Sequence, residues 1–118
     1  METRQYIDEM CTVVCRSLPG LSPQIKDRQV ILRDPSTGYP GGSPARPGLK
    51  HTDAILVSPV NRHRRVTVSR DEYGGVHVTW QRMRDLAPVT TKETKERLED
   101  VAARVVRFLR GDSSVMHI

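Results

Sequence analysis

Residues 65–70 and 76–81 alternate between apolar and polar side chains, except at Arg70, the last residue of the first run. This period of two is typical of β-strands, whose successive side chains point to opposite faces of a sheet. A connection centred on Glu72, Tyr73 and Gly74 gives a hairpin in which apolar side chains face one another across the strands. The expected pairs are Val66 with Trp80 and Val68 with Val78. The sequence therefore predicts an antiparallel hairpin with one apolar face.

The opposite face of the hairpin is polar. It carries Arg65, Thr67, Ser69, His77, Thr79 and Gln81. A polar face of this kind indicates a sheet that is covered on one side only.

Two segments have the apolar spacing of amphipathic helices. In residues 3–18, Thr3 is placed to cap the start and a Pro-Gly pair follows the end. In residues 91–110, Thr90 and Glu93 have the spacing of a capping box, and Gly111 suits a left-handed C-cap. Both apolar stripes can pack on the valine face of the hairpin.

Two shorter apolar runs, residues 28–33 and 54–57, are better read as strands than as helices because they are brief and rich in β-branched side chains. The element order is then α-β-β-β-β-α. We expect a two-layer α+β domain of residues 1–111, with about four antiparallel strands and both helices on one face. Residues 112–118 show no pattern and are read as a C-terminal tail.

Residues 34–50 contain eight prolines and glycines in seventeen positions. Loops of this length are uncommon in compact domains and usually have a function. A phosphate-binding loop is disfavoured because the Gly-Lys-Ser/Thr ending is missing and the prolines remove amide donors. We therefore expect this Pro/Gly loop to contact a partner.

The chain is basic, with a net charge of +5 and fifteen arginines against four lysines. Guanidinium groups favour phosphate and carboxylate partners, although net charge by itself does not define a site. Cys11 and Cys15 lie four residues apart on one predicted helix, where free thiols suit a reducing compartment. No apolar run is long enough to span a bilayer, so a cytoplasmic protein, or a virion component if viral, is expected.

Catalysis is the function class that the residues support least. Val76 to Trp80 resembles one half of the signature of the two-histidine phosphoesterases, which implies a histidine and a threonine presented side by side by His77 and Thr79. That mechanism requires a second such strand for the acid and base roles, and this chain has no second copy. The four histidines have no partners at ligand spacing, so we expect neither an enzyme nor a metal or other cofactor.

Two other function classes remain open. The first is a non-enzymatic module that docks on a protein partner or assembles with copies of itself, such as a viral or phage particle subunit or a mobile-element inhibitor. The second is a protein that binds the backbone of RNA or DNA through arginines, although it lacks aromatic residues interleaved with the basic ones.

We expect the partner to contact the Pro/Gly loop, the arginine-rich stretch 61–65 and the polar face. The predicted contact residues are Tyr39, Arg46, Lys50, Arg62, His63, Arg64, Arg65, His77 and Thr79. Arg46, Lys50, Arg82 and Arg84 are expected near the same end of the sheet as the stretch 61–65. As an alternative, Lys92 and Lys95 would bind an anion, because positive charge in the first turns of a helix opposes the helix dipole.

Overall fold

The computed structural model of the protein describes residues 2–30, 49–93 and 97–116. Two α-helices, five strands and one 3-10 turn follow one another along these residues. They are α1 (Thr3–Ser17), β1 (Gln24–Val30), β2 (Leu49–Val57), β3 (Arg65–Asp71), β4 (Val76–Gln81), β5 (Val89–Glu93), α2 (Leu98–Arg110) and the turn Ser114–Met116.

The five strands form one antiparallel sheet in the order β1-β2-β3-β4-β5. The predicted register of the central hairpin is confirmed, since Val66 pairs with Trp80 and Val68 with Val78. Gly74 has a φ of +89°, which the tight turn between β3 and β4 uses. The predicted α+β fold with a helix at each end of the sheet is confirmed, with five strands instead of about four.

The core lies between the valine face of the sheet and both helices. Trp80 and Phe108 meet edge to face, with their ring centroids 5.2 Å apart. Both rings are fully buried, as are Ile7 and Met10 on α1 and Leu56 on β2. Because both helices cover this face, the described elements leave the other face of the sheet uncovered. The fold therefore presents one broad polar surface.

The main error of the sequence prediction concerns residues 91–97. Residues 91–93 belong to β5, and α2 begins only at Leu98, with Arg97 as its N-cap. Glu93 is buried, and Arg104 donates to its carboxylate at 2.8 Å. The predicted capping box of Thr90 and Glu93 is therefore wrong, because Glu93 pairs with a side chain eleven residues further on.

The boundaries of several other elements also differ. Strand β2 begins five residues before the predicted run, and β1 covers residues 24–30. Residues 31–33 and most of the Pro/Gly loop, 34–48, lie outside the described residues. The N-cap of α1 is Glu2, and the Thr3 hydroxyl donates to the carbonyl oxygen of Asp71 at 3.4 Å instead of capping the helix.

The C-terminal end of α2 follows the prediction. Gly111 has a φ of +121° and donates its N–H to carbonyl oxygens of the last turn. Beyond it, Val115 and Met116 are buried against the core, which the pattern of residues 112–118 did not indicate. Neither helix in the described part of the chain is long and apolar enough to cross a lipid bilayer.

Candidate functional site

The open face of the sheet is organised in rows of side chains that run across the strands. One row crosses all five strands and is polar throughout. It consists of Lys26, Asp53, Ser69, His77 and Lys92. His77 and Thr79 therefore point to the open face, as predicted from the alternation of β4. A second row carries threonines: Thr67, Thr79 and Thr90.

A hydrogen-bond network joins the first three strands on the open face. Arg28 donates to Asp53 at 2.6 Å and to the Ser69 hydroxyl at 3.3 Å. Ser69 in turn donates to Asp53 at 2.6 Å, and His51 Nδ1 lies 3.4 Å from the same hydroxyl oxygen. The set contains the residue types of a hydrolytic triad, but the serine proton is directed at the carboxylate and not at the histidine. The arrangement supports cross-linking of β1, β2 and β3.

The clearest surface feature lies at the end of the sheet where β2 and β4 end and β3 and β5 begin. We call it the arginine end and define it as residues 57–65 and 81–89. It contains an open cleft of about 530 Å³. The cleft is lined by Arg62, His63, Arg65, Gln81, Met83, Arg84 and Asp85. Two loops that are distant in sequence therefore bring three exposed arginines together.

Two anchors hold the first of these loops on α2. The buried Ser58 hydroxyl donates to the carbonyl oxygen of Leu109 at 2.6 Å and accepts from the N–H groups of Val60 and Asn61. The Arg64 guanidinium donates to the carbonyl oxygen of Phe108 at 3.0 Å. These bonds satisfy carbonyl groups at the end of the helix, which have no partner within it.

Arg64 therefore differs from Arg62 and Arg65, the other two arginines of this stretch. Its guanidinium also donates to the Ser113 hydroxyl at 2.9 Å and lies over the Phe108 ring, 4.8 Å from the ring centroid. Its predicted contact with a partner stays a prediction, but these internal contacts leave fewer of its N–H groups for a partner than Arg62 and Arg65 have. Arg62 and Arg65 are exposed on either side of it.

The arginine end is also the most apolar part of the described surface. Of the six large hydrophobic side chains that are exposed among the described residues, five lie there. They are Val57, Val60, Met83, Leu86 and Val89, with exposed fractions from 37% to 70%. The sixth, Tyr73, lies at the opposite end, in the turn between β3 and β4.

The structure separates the other predicted site residues. Lys50 lies at the start of β2, about 23 Å along the strand from Val57 at a rise of about 3.3 Å per residue. The expectation that it lies near Arg62 is therefore wrong, because β2 is longer than predicted. Tyr39 and Arg46 lie outside the described residues.

The alternative anion site loses its physical basis at Lys92. This residue lies in β5 and not in the first turn of a helix, so the helix-dipole argument does not apply to it. Its neighbour across the strands is His77 on the open face. Lys95 lies outside the described residues.

The expectation that Arg84 lies near the stretch 61–65 is confirmed by the cleft, but sequence reasoning missed the apolar residues of the second loop and the network around Ser69. Residues 82–88 show no periodic pattern of apolar side chains, so the sequence did not indicate that Met83 and Leu86 are exposed at this end. The predicted strand began at residue 54. Had it been extended back to Leu49, the alternation of side chains along the strand would have placed His51 and Asp53 on the open face.

The described residues contain no group of three or more His, Cys, Asp or Glu side chains placed to hold a metal ion. No protein-family model, curated protein or solved structure matches the chain.

Proposed function

We propose that the protein is a non-enzymatic docking module that attaches to a larger macromolecular assembly through its arginine end. The observation that carries the proposal is the coincidence of exposed apolar side chains and arginines at that end. Exposed apolar side chains among charged ones are typical of interaction surfaces. The open polar face beside it enlarges the area that a partner can cover.

The partner expected from this surface is a protein. Methionine and valine side chains offer contact area that a phosphate backbone cannot use, and Met83 adapts its shape to a partner because it is unbranched. The Pro/Gly loop, whose residues 34–48 lie outside the described part, remains a predicted second contact. Its last two residues, Leu49 and Lys50, start β2 at the end of the sheet opposite the arginine end, so the two contacts would engage different regions of the partner.

A variant with three substitutions, Arg62→Ala, Arg65→Ala and Arg84→Ala, tests the proposal. A matched variant, Arg16→Ala, Arg97→Ala and Arg110→Ala, removes the same charge from exposed positions outside the arginine end and the open face. We expect tagged protein to capture a specific partner from nuclease-treated lysate of the source cells. The first variant should lose the partner and the matched variant should keep it. Equal capture by both variants would contradict the proposal.

The second candidate function is binding of a nucleic-acid backbone. Arg62, Arg65, Arg82 and Arg84 are all exposed at one end, which favours it. It predicts affinity for duplex DNA or RNA that falls steeply with salt and drops in the first variant. The absence of salt-sensitive binding would exclude it.

Shortening residues 34–50 to a Gly-Ser linker tests the predicted contact of the Pro/Gly loop. We expect weaker partner capture with little change in thermal stability. An equal loss of stability would show that the loop is part of the fold.

A further inference from the structure

Three arginines of the arginine end lack internal ion pairs. Arg62, Arg65 and Arg84 have no carboxylate within 4.0 Å in the described part of the chain. Several other arginines are neutralised within the fold, for example Arg28 by Asp53 and Arg107 by Asp112. The cleft therefore keeps a positive charge that a bound acidic group would neutralise.

The loop that carries Arg62 is held in place before any partner binds. The N–H of Ser58 donates to the carbonyl oxygen of Arg64, and the N–H of Arg64 donates to that of Asn61. The Asn61 side chain accepts from the N–H of His63 at 3.1 Å. A loop that is closed on itself and tied to α2 loses little further entropy on binding. The backbone that carries Arg62 is therefore ordered before a partner binds.

The cleft combines this charge with apolar contact area. Met83 lines it and is 53% exposed, and Val57 is the neighbour of Arg65 across the strands on the same face. Asp85 is the one carboxylate among the described lining residues. The described lining residues include no Phe, Tyr or Trp, so the imidazole of His63 is the one ring among them on which a nucleobase could stack. Its concave shape suits a side-chain-sized group better than a flat bilayer surface.

Resting on the proposed function, we infer that the arginine end binds an acidic protein segment in which Asp or Glu side chains flank an apolar one. The carboxylates pair with Arg62, Arg65 and Arg84, whose guanidinium groups can donate two parallel hydrogen bonds to each. The apolar side chain packs on Met83 beside Val57. A carboxylate partner is favoured over a phosphate because apolar contact and charge are combined in one cleft.

Selection from a library of short random peptides displayed on phage, with the full chain as bait, tests the inference. We expect the selected peptides to share acidic residues around an apolar one. Labelled copies should bind with a Kd that rises about tenfold or more in the Arg62→Ala, Arg65→Ala, Arg84→Ala variant. The matched variant at positions 16, 97 and 110 should leave the Kd unchanged.

Control ligands distinguish the other sources of negative charge. Replacing Glu and Asp in a selected peptide by Gln and Asn should abolish binding, and replacing its apolar residue by Gly should weaken it. Duplex DNA and vesicles of phosphatidylserine and phosphatidylcholine are tested as competing ligands. The inference would be overturned if either bound more tightly than the peptide and depended on the same three arginines. Selected peptides without acidic residues would also overturn it. Either result could occur while the partner capture described above still depends on the arginine end, so the two proposals can fail separately.

Discussion

Arg104 of α2 donates to the carboxylate of Glu93 in β5 at 2.8 Å, and the side chains are only 17% and 3% exposed. Thr91 donates to the same carboxylate at 3.1 Å and accepts from the indole N–H of Trp80 at 2.9 Å. Arg104 also donates to the carbonyl oxygen of Val115. The pair therefore connects the edge strand, the second helix and the turn that follows it.

Removing Arg104 should destabilise the fold strongly. In Arg104→Met, the buried Glu93 carboxylate loses its ion-pair partner, which typically costs about 3 to 5 kcal/mol of unfolding free energy. The double variant Glu93→Leu, Arg104→Met should recover most of this loss, because no unpaired charge remains. Urea denaturation of both variants checks this prediction. An exposed control, Arg16→Met, should change the unfolding free energy by less than about 0.5 kcal/mol, and an equally small effect of Arg104→Met would contradict the prediction.

Substitutions of Arg62, Arg64 and Arg65 should differ in their effect on the unfolding free energy. Arg64→Ala removes hydrogen bonds to Phe108 and Ser113 and the contact with an aromatic ring, so a loss of about 2 to 3 kcal/mol is expected. Arg62→Ala and Arg65→Ala should each remain within about 0.5 kcal/mol of the wild type because both side chains are exposed. Thermal or chemical unfolding of the three single variants measures this. A similar loss in all three would show that the arginine end is a structural element.

The two cysteines should react with iodoacetamide at different rates. Burial, with a smaller contribution from the neighbouring Cys15, raises the pKa of Cys11 from 9.0 to about 11. Its thiol therefore stays protonated and unreactive at pH 8, whereas the partly exposed Cys15 is accessible. Mass spectrometry of the native protein should find the label on Cys15 first, and unfolding in urea should equalise the two sites. Early labelling of Cys11 would contradict the burial of α1.

The raised pKa also implies a change of stability at high pH. The Cys11 pKa is higher in the folded state than in the unfolded chain, so its contribution to stability is present below about pH 9 and is lost as the pH rises through about 11. The variant Cys11→Ala should not show this alkaline loss.

Asp112 should titrate below the usual range of an aspartate. Hydrogen bonds from the side chain and the backbone N–H of Ser114, followed by that from Arg107, lower its pKa from 3.8 to about 2. The folded-state pKa is depressed, so the stability due to this carboxylate is present above about pH 4 and is lost as the pH falls towards 2. NMR titration of its carboxyl carbon measures the pKa. In Ser114→Ala the pKa should move back towards 3.8, and a wild-type midpoint near 3.8 would refute the assignment.

Local periodicity determined much of this fold. The register of β3 and β4, the apolar stripes of both helices and the left-handed Gly111 follow from patterns that extend over a few residues. The sequence pattern also indicated that Arg62 and Arg65 are exposed and that His77 lies on the open face. These features depend on neighbours that are close in the chain.

Only the tertiary structure decided the rest. Residues 91–93 have the local signals of a helix start, but Glu93 and Thr91 find partners on α2 and β4, and these buried hydrogen bonds outweigh a solvent-exposed helix cap. Arg64 is distinguished from Arg62 only by the carbonyl group that α2 places beside it. The cleft itself joins residues 62–65 with 81–85, which are adjacent only because β3 and β4 pair. Contacts between such distant residues leave no periodic trace in the chain, which is why the arginine end could be predicted only in part.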